Sequence, residues 1–177
     1  YVVSEDMAEK IVPYIIFSTK LEEGTKEEIQ PQSKSETTAP KPLVDINRAD
    51  SAALVAIDGI GPKSASEIIK YRKLLGGYHS VEQISELSVV TAENFEQILP
   101  QIYCDSAEIK KININFAASN ELKTHPYITS RMLKLIINTR VSKGGWSTIE
   151  EMIEDDILTS EEAMRIAPYL DFGTDSE

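Results

Sequence analysis

The sequence repeats itself at a fixed offset of 68 residues without a gap, and this limits the possible folds more than any other feature. "DINRADSAAL" from Asp45 faces "NINFAASNEL" from Asn113, and "KLLGGYHSVEQI" faces "VSKGGWSTIEEM". Arginine and glycine positions also coincide: Arg72, Gly76 and Gly77 face Arg140, Gly144 and Gly145. A long, ungapped period indicates two copies of one supersecondary unit. We call residues 43–105 the first repeat and residues 106–172 the second repeat.

A third, partial match lies at the start of the chain. "VVSEDMAEKIVPYI" is similar to "VVTAENFEQILPQI" in the first repeat and to "ILTSEEAMRIAPYL" in the second. We therefore expect residues 1–19 to be the last helix of an earlier repeat, although any short amphipathic helix before a proline gives a similar pattern. Residues 20–42, rich in charge, Ser, Thr and Pro, are expected to form a flexible linker. Residues 173–177 are expected to be an acidic tail that frays.

Start and stop signals divide each repeat into four helices. In the first repeat, Asp50 or Ser51 caps a short helix that continues through Ala56. Pro62 suits the first turn of the next helix, because its missing N–H would be unpaired there anyway. Apolar residues at helical spacing extend that helix to about Leu75.

Glycine pairs and capping boxes mark the remaining boundaries. Gly76 and Gly77 end the second helix, since left-handed C-terminal positions favour glycine. Hydroxyl residues with capping-box spacing start the later helices: Ser80 with Gln83, Thr148 with Glu151, and Thr159 with Glu162. Tyr78 and its counterpart Trp146 are expected in the core. No segment alternates with period two for long enough to form a strand, so the sequence predicts an all-α fold.

Composition excludes several classes of protein. The net charge is -11, whereas proteins that bind nucleic acid through long-range attraction are usually basic, so any such contact must be local. The single cysteine, Cys104, cannot form an internal disulfide or a cysteine-based zinc site. His79 and His125 are expected to be surface or capping residues. The sequence contains no P-loop, zinc-protease motif or Ser-His-Asp arrangement, so we expect neither an enzyme nor a cofactor.

"LVAIDGIGPKSASEIIKYR", residues 54–72, resembles the helix-hairpin-helix motif. With its flanking segments, the first repeat resembles the DNA-binding domain of ComEA-type competence proteins, and the second repeat resembles it more weakly. The resemblance implies two tandem four-helix units, each made of two helix-hairpin-helix motifs (the SAM-like, RuvA domain 2-like fold), after the N-terminal orphan helix. It also implies a bacterial protein that binds double-stranded DNA without sequence preference during DNA uptake. Such a protein works outside the cytoplasm, anchored by an upstream segment.

The glycine hairpin of the first repeat is the candidate phosphate site. Glycines let a phosphate approach the backbone without meeting a Cβ, and the next helix presents unpaired N–H groups and the positive end of its dipole. The candidate contacts are Gly59, Ile60, Gly61, Lys63, Ser64 and Lys70. The resemblance further implies a monovalent cation at the backbone carbonyls of Ile57 and Ile60. The alternative is a purely structural turn, with Ile60 as a core residue.

The other hairpins have lost these glycines. In the second repeat Tyr127 replaces Gly59 and Thr129 replaces Gly61, so phosphate contact there would use the side chains of Thr129, Ser130 and Arg131. Thr129 or Ser130 can instead cap the helix. With one intact hairpin, we expect weak, salt-dependent DNA binding and no membrane contact. The alternative function is a protein-interaction scaffold, whose degenerate hairpins and exposed Tyr127 face a protein partner.

Overall fold

The computed structural model describes residues 42–173. The predicted orphan helix (1–19), the linker (20–42) up to residue 41, and the tail beyond Gly173 lie outside the described residues. Within the described part, no helix has the length and apolar character required to cross a bilayer.

Most of the described residues that have regular structure are helical, as predicted. The first repeat contains β1 (Val44–Asp45), α1 (Ser51–Val55), α2 (Pro62–Leu75), a 3-10 helix (Val81–Glu86), α3 (Ala92–Ile98), a 3-10 turn (Leu99–Gln101) and β2 (Ile102–Tyr103). The second repeat contains β3 (Ile112–Asn113), α4 (Ser119–Thr124), α5 (Ser130–Lys143), α6 (Ile149–Glu154), α7 (Ser160–Ile166), a 3-10 turn (Ala167–Tyr169) and β4 (Leu170–Asp171). The bounds agree at the 68-residue offset, apart from one extra residue at the end of α4.

The structure differs from an all-α fold by two very short strand pairs. Val44 pairs with Ile102 and Ile112 pairs with Leu170, in parallel, so the chain enters and leaves each repeat side by side. The N–H of Ile46 extends the first pair by donating to the Tyr103 carbonyl at 3.0 Å. Each strand has only two residues, which is too few for the alternation that reveals strands in a sequence.

The predicted helix boundaries are confirmed at several caps. Asp50 accepts the Ala53 N–H at 2.8 Å and caps α1, which ends at Val55 rather than Ala56. α2 starts at Pro62 and ends at Leu75, and its C-cap residue Gly76 has a left-handed φ of 84°. The capping boxes at Ser80 and Thr159 are complete, and Thr148 accepts from the Glu151 N–H, as predicted. The segment after Ser80 is a 3-10 helix, whereas its counterpart α6 is an α-helix.

Each repeat has its own hydrophobic core. Tyr78 is completely buried in the first core and Trp146 is 2% exposed in the second, as expected. Their polar atoms are paired, because the Tyr78 hydroxyl donates to the Ile68 carbonyl at 2.9 Å and Trp146 Nε1 donates to Asp155 at 2.7 Å. Burial of a large aromatic therefore leaves no unpaired polar group at either position.

In each repeat, an asparagine side chain binds the backbone beside the glycine pair that ends the second helix. We call these pairs, Gly76–Gly77 and Gly144–Gly145, the glycine corners. Asn47 Oδ1 accepts the Tyr78 N–H at 2.7 Å, and its Nδ2 donates to the carbonyls of Tyr78 and Asp105, both at 2.8 Å. Asn115 makes the equivalent bonds to the N–H and carbonyl of Trp146. The side-chain amide of each asparagine thus pairs with the N–H and the carbonyl of the residue after the glycine pair. These bonds fix the end of the second helix of the repeat.

Removal of this amide will destabilise the first repeat. We expect Asn47→Ala to lower the free energy of unfolding by about 2 kcal/mol, because partly buried backbone groups lose their partners. Urea unfolding followed by circular dichroism measures the change. Amide exchange at Tyr78 will also accelerate, while a variant of equal stability with unaltered Tyr78 exchange would contradict the role of Asn47.

Candidate nucleic-acid interface

The first hairpin, residues 57–61, is a tight turn between α1 and α2. The N–H of Ile60 donates to the Ile57 carbonyl at 3.1 Å, and Ile60 is buried with a 4% exposed side chain. Gly59 has a φ of 98°, which is left-handed. Gly61 has φ -88° and ψ 172°, an extended conformation that any residue can adopt. The backbone therefore demands glycine at Gly59 and not at Gly61.

Packing around the two glycines differs in the same way. A Cβ on Gly59 would lie 3.2 Å from Ile98 Cγ1, so the fold itself requires glycine there. Apart from its two chain neighbours, no described residue has an atom within 4 Å of a Cβ placed on Gly61. Gly61 suits its position as the N-cap of α2, but its packing does not require glycine, and the open space lies directly before the first residue of α2. The space suits a ligand that approaches the backbone closely.

Unpaired donors lie beside this space. Helix α2 has 14 residues, so its first turn carries the partial positive charge of a full helix. Among the described residues, no acceptor pairs with the N–H of Gly61, Lys63 or Ser64. Pro62 has no N–H. Three amides of a single turn are thus free to donate to one anion, which is the arrangement found where helix N-termini bind phosphate.

The predicted side chains of this site have different surroundings. Lys63 is exposed and has no ion pair within the described residues. The Ser64 hydroxyl is 3.5 Å from the Val89 carbonyl, so it points partly toward the second hairpin of the repeat. Lys70 lies two turns along α2 and is 3.4 Å from Glu67. Since Glu67 is one turn from Lys63, it reduces the local positive charge.

One nearby cation has a structural role instead. Arg72 donates through Nη1 to the carbonyls of Ile46 and Ala49, both at 2.8 Å, and Arg140 makes the same pair of bonds in the second repeat. The presence of Arg140 at the 68-residue offset from Arg72 was the sequence feature that indicated a shared structural role. Arg72 therefore fastens the start of its repeat to α2 rather than pointing at the hairpin.

The predicted cation site at the carbonyls of Ile57 and Ile60 stays a prediction. The Ile57 carbonyl already accepts the Ile60 N–H, which leaves it one lone pair for another partner.

A shallow groove of about 260 Å³ runs beside the first hairpin, lined by Lys63, Glu67, Leu87, Ser88 and Val89. The last three belong to the second hairpin of the repeat, which turns through a bond from the Val90 N–H to the Leu87 carbonyl at 2.9 Å. The two hairpins of the first repeat therefore lie on the same surface.

The candidate residues of the second repeat are largely engaged in its own structure. Thr129 accepts the Met132 N–H at 3.2 Å and caps α5, so its hydroxyl oxygen already has a partner. Ser130 is the exposed first residue of that helix. Arg131 donates to the carbonyls of Asp156 and Ile157 at 2.9 and 3.3 Å. These contacts fasten α5 to the last hairpin of the repeat.

The third hairpin, residues 125–128, packs against the first repeat. The Tyr127 hydroxyl is 2.7 Å from Gln83 Nε2 and 3.0 Å from both carboxylate oxygens of Glu86. Arg165 lies over the Tyr127 ring at 4.7 Å and contacts Glu86 at 2.9 Å. The expectation of an exposed Tyr127 was wrong, because its ring is half-buried in this joint between the repeats.

His125 also belongs to the joint: it is the C-cap residue of α4, as the expectation of a surface or capping residue allowed, but it does not lie at the surface. Its side chain is 2% exposed and lies against the Tyr127 and Tyr169 rings, with centroids 5.6 and 5.0 Å away. Its Nδ1 accepts the Tyr127 N–H at 3.3 Å, and Nε2 has no hydrogen-bond partner among the described residues. Burial lowers the pKa of His125 to about 4, and the nearby Leu75 carbonyl opposes this only in part.

Tyr169 completes the joint, and it was not singled out from the sequence. Its hydroxyl is 2.8 Å from Gln83 Nε2, and burial raises the pKa of Tyr169 to about 12. At the 68-residue offset, the first repeat has Gln101 where the second has Tyr169, and Gly59 where the second has Tyr127. Two aromatic residues that appear only in the second repeat were the available signal for a contact between repeats.

Comparison with known proteins agrees with the geometry of the first repeat. Residues 40–103 match the family described as the helix-hairpin-helix motif. The ComE operon protein 1 of Bacillus subtilis is 38% identical over 60 residues, which cover 34% of this chain and 29% of that protein. Both matches support a ComEA-like helix-hairpin-helix protein.

Further relatives are much longer proteins. The endonuclease/exonuclease/phosphatase family domain-containing protein 1 of Xenopus laevis is 23% identical over 137 residues, covering 66% of this chain and 25% of that protein. The protein of the same name from Mus musculus is 29% identical over 107 residues, covering 60% of this chain and 19% of its own length. The chain thus spans a quarter or less of these relatives. No solved structure matches the chain significantly.

Proposed function

Because residues 40–103 are a helix-hairpin-helix region of the ComEA-like kind, we propose that this protein binds double-stranded DNA through backbone phosphates at its first hairpin. The observation that carries the proposal is the open space at Gly61. Apart from its chain neighbours, no described residue has an atom within 4 Å of a Cβ there, three adjacent amides have no partner among the described residues, and the exposed Lys63 stands beside it.

Such contacts give no sequence preference. Backbone amides and a lysine recognise phosphate oxygens and reach no base edge, so they fix the position of the duplex without reading it. The net charge of -11 removes long-range attraction, and Glu67 lies close to Lys63. Both features support a weak affinity that falls with salt. We further propose a role in DNA uptake outside the cytoplasm, in keeping with the ComEA-type resemblance.

We infer that the described part consists of two tandem four-helix units, each with two hairpins. The matching element bounds and the matching strand registers at a common offset support this arrangement. The first hairpin of the second unit packs in the joint with the first unit. This hairpin therefore orients the two units and makes no phosphate contacts. We propose that the chain itself has no catalytic role and acts as a binding module.

The alternative is a protein-interaction scaffold that has lost DNA binding. The degenerate hairpins and the acidic charge favour this alternative, whereas the vacant surface at Gly61 and the free amides favour phosphate binding.

Fluorescence anisotropy with a duplex of random sequence across a salt series tests the proposal. We expect Gly61→Val to weaken binding about fivefold or more at a small cost in stability, because its Cβ enters the open space before α2, while valine is a poorer N-cap residue than glycine. Lys63→Ala should weaken binding on all sequences and reduce the salt slope by about 1. Gly59 is unsuitable for this test, since substitution there strains the backbone.

Lys123→Ala is the matched control, because it removes the same charge from an exposed helix position away from the first hairpin. Its binding should resemble that of the unaltered chain. Equal binding by Gly61→Val would refute the phosphate site, and an intact chain that binds no duplex at low salt would favour the scaffold.

A further inference from the structure

The side chain of Gln101 holds the first hairpin by its backbone. Gln101 Oε1 accepts the Asp58 N–H at 3.1 Å, and Gln101 Nε2 donates to the Asp58 carbonyl at 3.0 Å. Nε2 also donates to the Gln97 carbonyl, in the last turn of α3, at 2.8 Å. One side-chain amide therefore binds both backbone groups of a hairpin residue and connects them to α3. We call these three bonds the Gln101 clamp.

The clamp fixes the peptide unit between Asp58 and Gly59. The carbonyl of Asp58 and the N–H of Gly59 belong to this one planar, trans unit, so they point in opposite directions. Because Gln101 binds the carbonyl from the side of α3, the Gly59 N–H points away from α3. Among the described residues, no acceptor pairs with this N–H. It is therefore available to a ligand.

The hairpin needs such a restraint because a glycine lies at its centre. Glycine adopts positive and negative φ about equally well, so the chain rotates more freely at Gly59 than elsewhere in the turn. On one side of Gly59 the chain is held by Ile60, whose side chain is buried in the core. On the other side it is held by the clamp. With both neighbours held, the amides of the hairpin keep one arrangement.

Gln101 acts through the hairpin and not on a ligand. Its amide carries two N–H hydrogens, and the carbonyls of Asp58 and Gln97 accept both of them. No donor is left on Gln101 for a phosphate oxygen. The bonds of the clamp are exposed to solvent, so water replaces them at a small cost in stability. The effect of the clamp is therefore on the position of the hairpin more than on the stability of the fold.

The third hairpin, in the second repeat, is held in a different way. Pro126 stands at the position of Asp58 and has no N–H to donate. Tyr169 stands at the position of Gln101, and its hydroxyl donates to Gln83 Oε1 of the first repeat at 3.0 Å. That hairpin is thus fixed by the joint, whereas the hairpin with the unpaired amides is fixed by the clamp.

We propose that Gln101 is a positioning residue of the phosphate site, which orients the Gly59 N–H and keeps the first hairpin in the arrangement that binds the DNA backbone. This inference rests on the proposed phosphate binding. A hairpin that adopts the binding arrangement for only part of the time binds with an affinity reduced by that fraction. Loss of the clamp therefore weakens binding, but it leaves the number of neutralised phosphates and hence the salt slope unchanged.

Gln101→Met tests the inference in the full chain, because methionine has a similar length and no amide. We expect fluorescence anisotropy to show binding of the random duplex weakened about threefold or more, with an unaltered salt slope. In NMR spectra of the free variant, exchange of the Asp58 amide will accelerate. The Gly59 amide signal will shift less on addition of duplex than in the unaltered chain. A merely structural role of Gln101 would lower the free energy of unfolding without changing the affinity of the folded protein.

Gln97→Met is the matched control, since it makes the same change one turn away and leaves the Gln97 carbonyl in place. It should bind the duplex like the unaltered chain. If Gly61→Val weakens binding and Gln101→Met does not, the role of Gln101 is refuted while the phosphate site stands. Equal weakening by Gln97→Met, or a smaller salt slope in Gln101→Met, also refutes it. An intact chain that binds no duplex at low salt overturns the proposed function and this inference together.

Discussion

Gly76→Ala will unfold at a markedly lower urea concentration than its matched variant Gly144→Ala. Both glycines end a 14-residue helix with almost the same left-handed φ, 84° and 89°, so a new side chain costs each variant a similar strain of about 1–2 kcal/mol. Only at Gly76 does the new Cβ also meet the Lys110 carbonyl, 2.6 Å away. Displacing the segment between the repeats, which contains Lys110, adds about 1–3 kcal/mol, in the range of overpacked cores.

The difference in stability between the two variants therefore isolates the contact between Lys110, in the segment between the repeats, and Gly76. Equilibrium urea unfolding gives the free energies, with the slope compared between variants to verify that the transition is unchanged. We expect Gly76→Ala to lose about 2–5 kcal/mol, when the strain and the overpacking are taken together. Equal losses of unfolding free energy in the two variants would mean that the segment with Lys110 moves away from Gly76 at no cost.

Acidification will weaken the fold through His125. A histidine whose pKa is near 6.5 in the unfolded chain and about 4 in the folded chain binds its proton more readily when unfolded. Its contribution is fully present above pH 6.5, and it is lost progressively as the pH falls from 6.5 to 4. The loss amounts to about 3 kcal/mol, since one pKa unit corresponds to about 1.4 kcal/mol.

Comparison with His125→Gln separates this effect from other titrations. Carboxylates also become protonated below pH 5, but they do so in both proteins. The free energy of unfolding of the unaltered chain should therefore fall more steeply between pH 6.5 and 4 than that of the variant. Parallel curves for the two proteins would show that His125 titrates normally, in conflict with its burial.

The sequence predicted structure best where the determinant is local. Asp50, Pro62, Gly76 and the hydroxyls of the capping boxes act on residues within one or two turns, so their spacing alone identifies the helix ends. The two-residue strands escaped prediction because they depend on residues 58 apart, such as Val44 and Ile102.

The joint between the repeats escaped prediction for a different reason. His125, Tyr127 and Tyr169 are amphipathic residues that suit either a surface or an interface. The hydroxyls of the two tyrosines bind Gln83 and, for Tyr127, also Glu86, which lie about 40 to 90 residues away in sequence. His125 packs against both tyrosine rings. Comparison of the two repeats shows which aromatics are new, but not what they contact.

The candidate site was predicted in part. Gly59 and Gly61 look equivalent in the sequence, and only the backbone angles and the surrounding atoms distinguish a glycine that the turn requires from one that leaves room outside. Arg72 lies on the same helix as Lys63 and Lys70, yet two carbonyls occupy its Nη1. The sequence shows the charge of a residue but not the direction in which its side chain points.

The parallel strand pairs have a mechanical consequence. Because the chain enters a repeat at β1 and leaves it at β2 in the same direction, tension on the two ends slides the strands along each other instead of peeling them apart. The bonds of the pair, including that from Ile46 to Tyr103, then resist the pull together. A repeat of this kind transmits force along the chain, and it adds little to the contour length until the strand pair gives way.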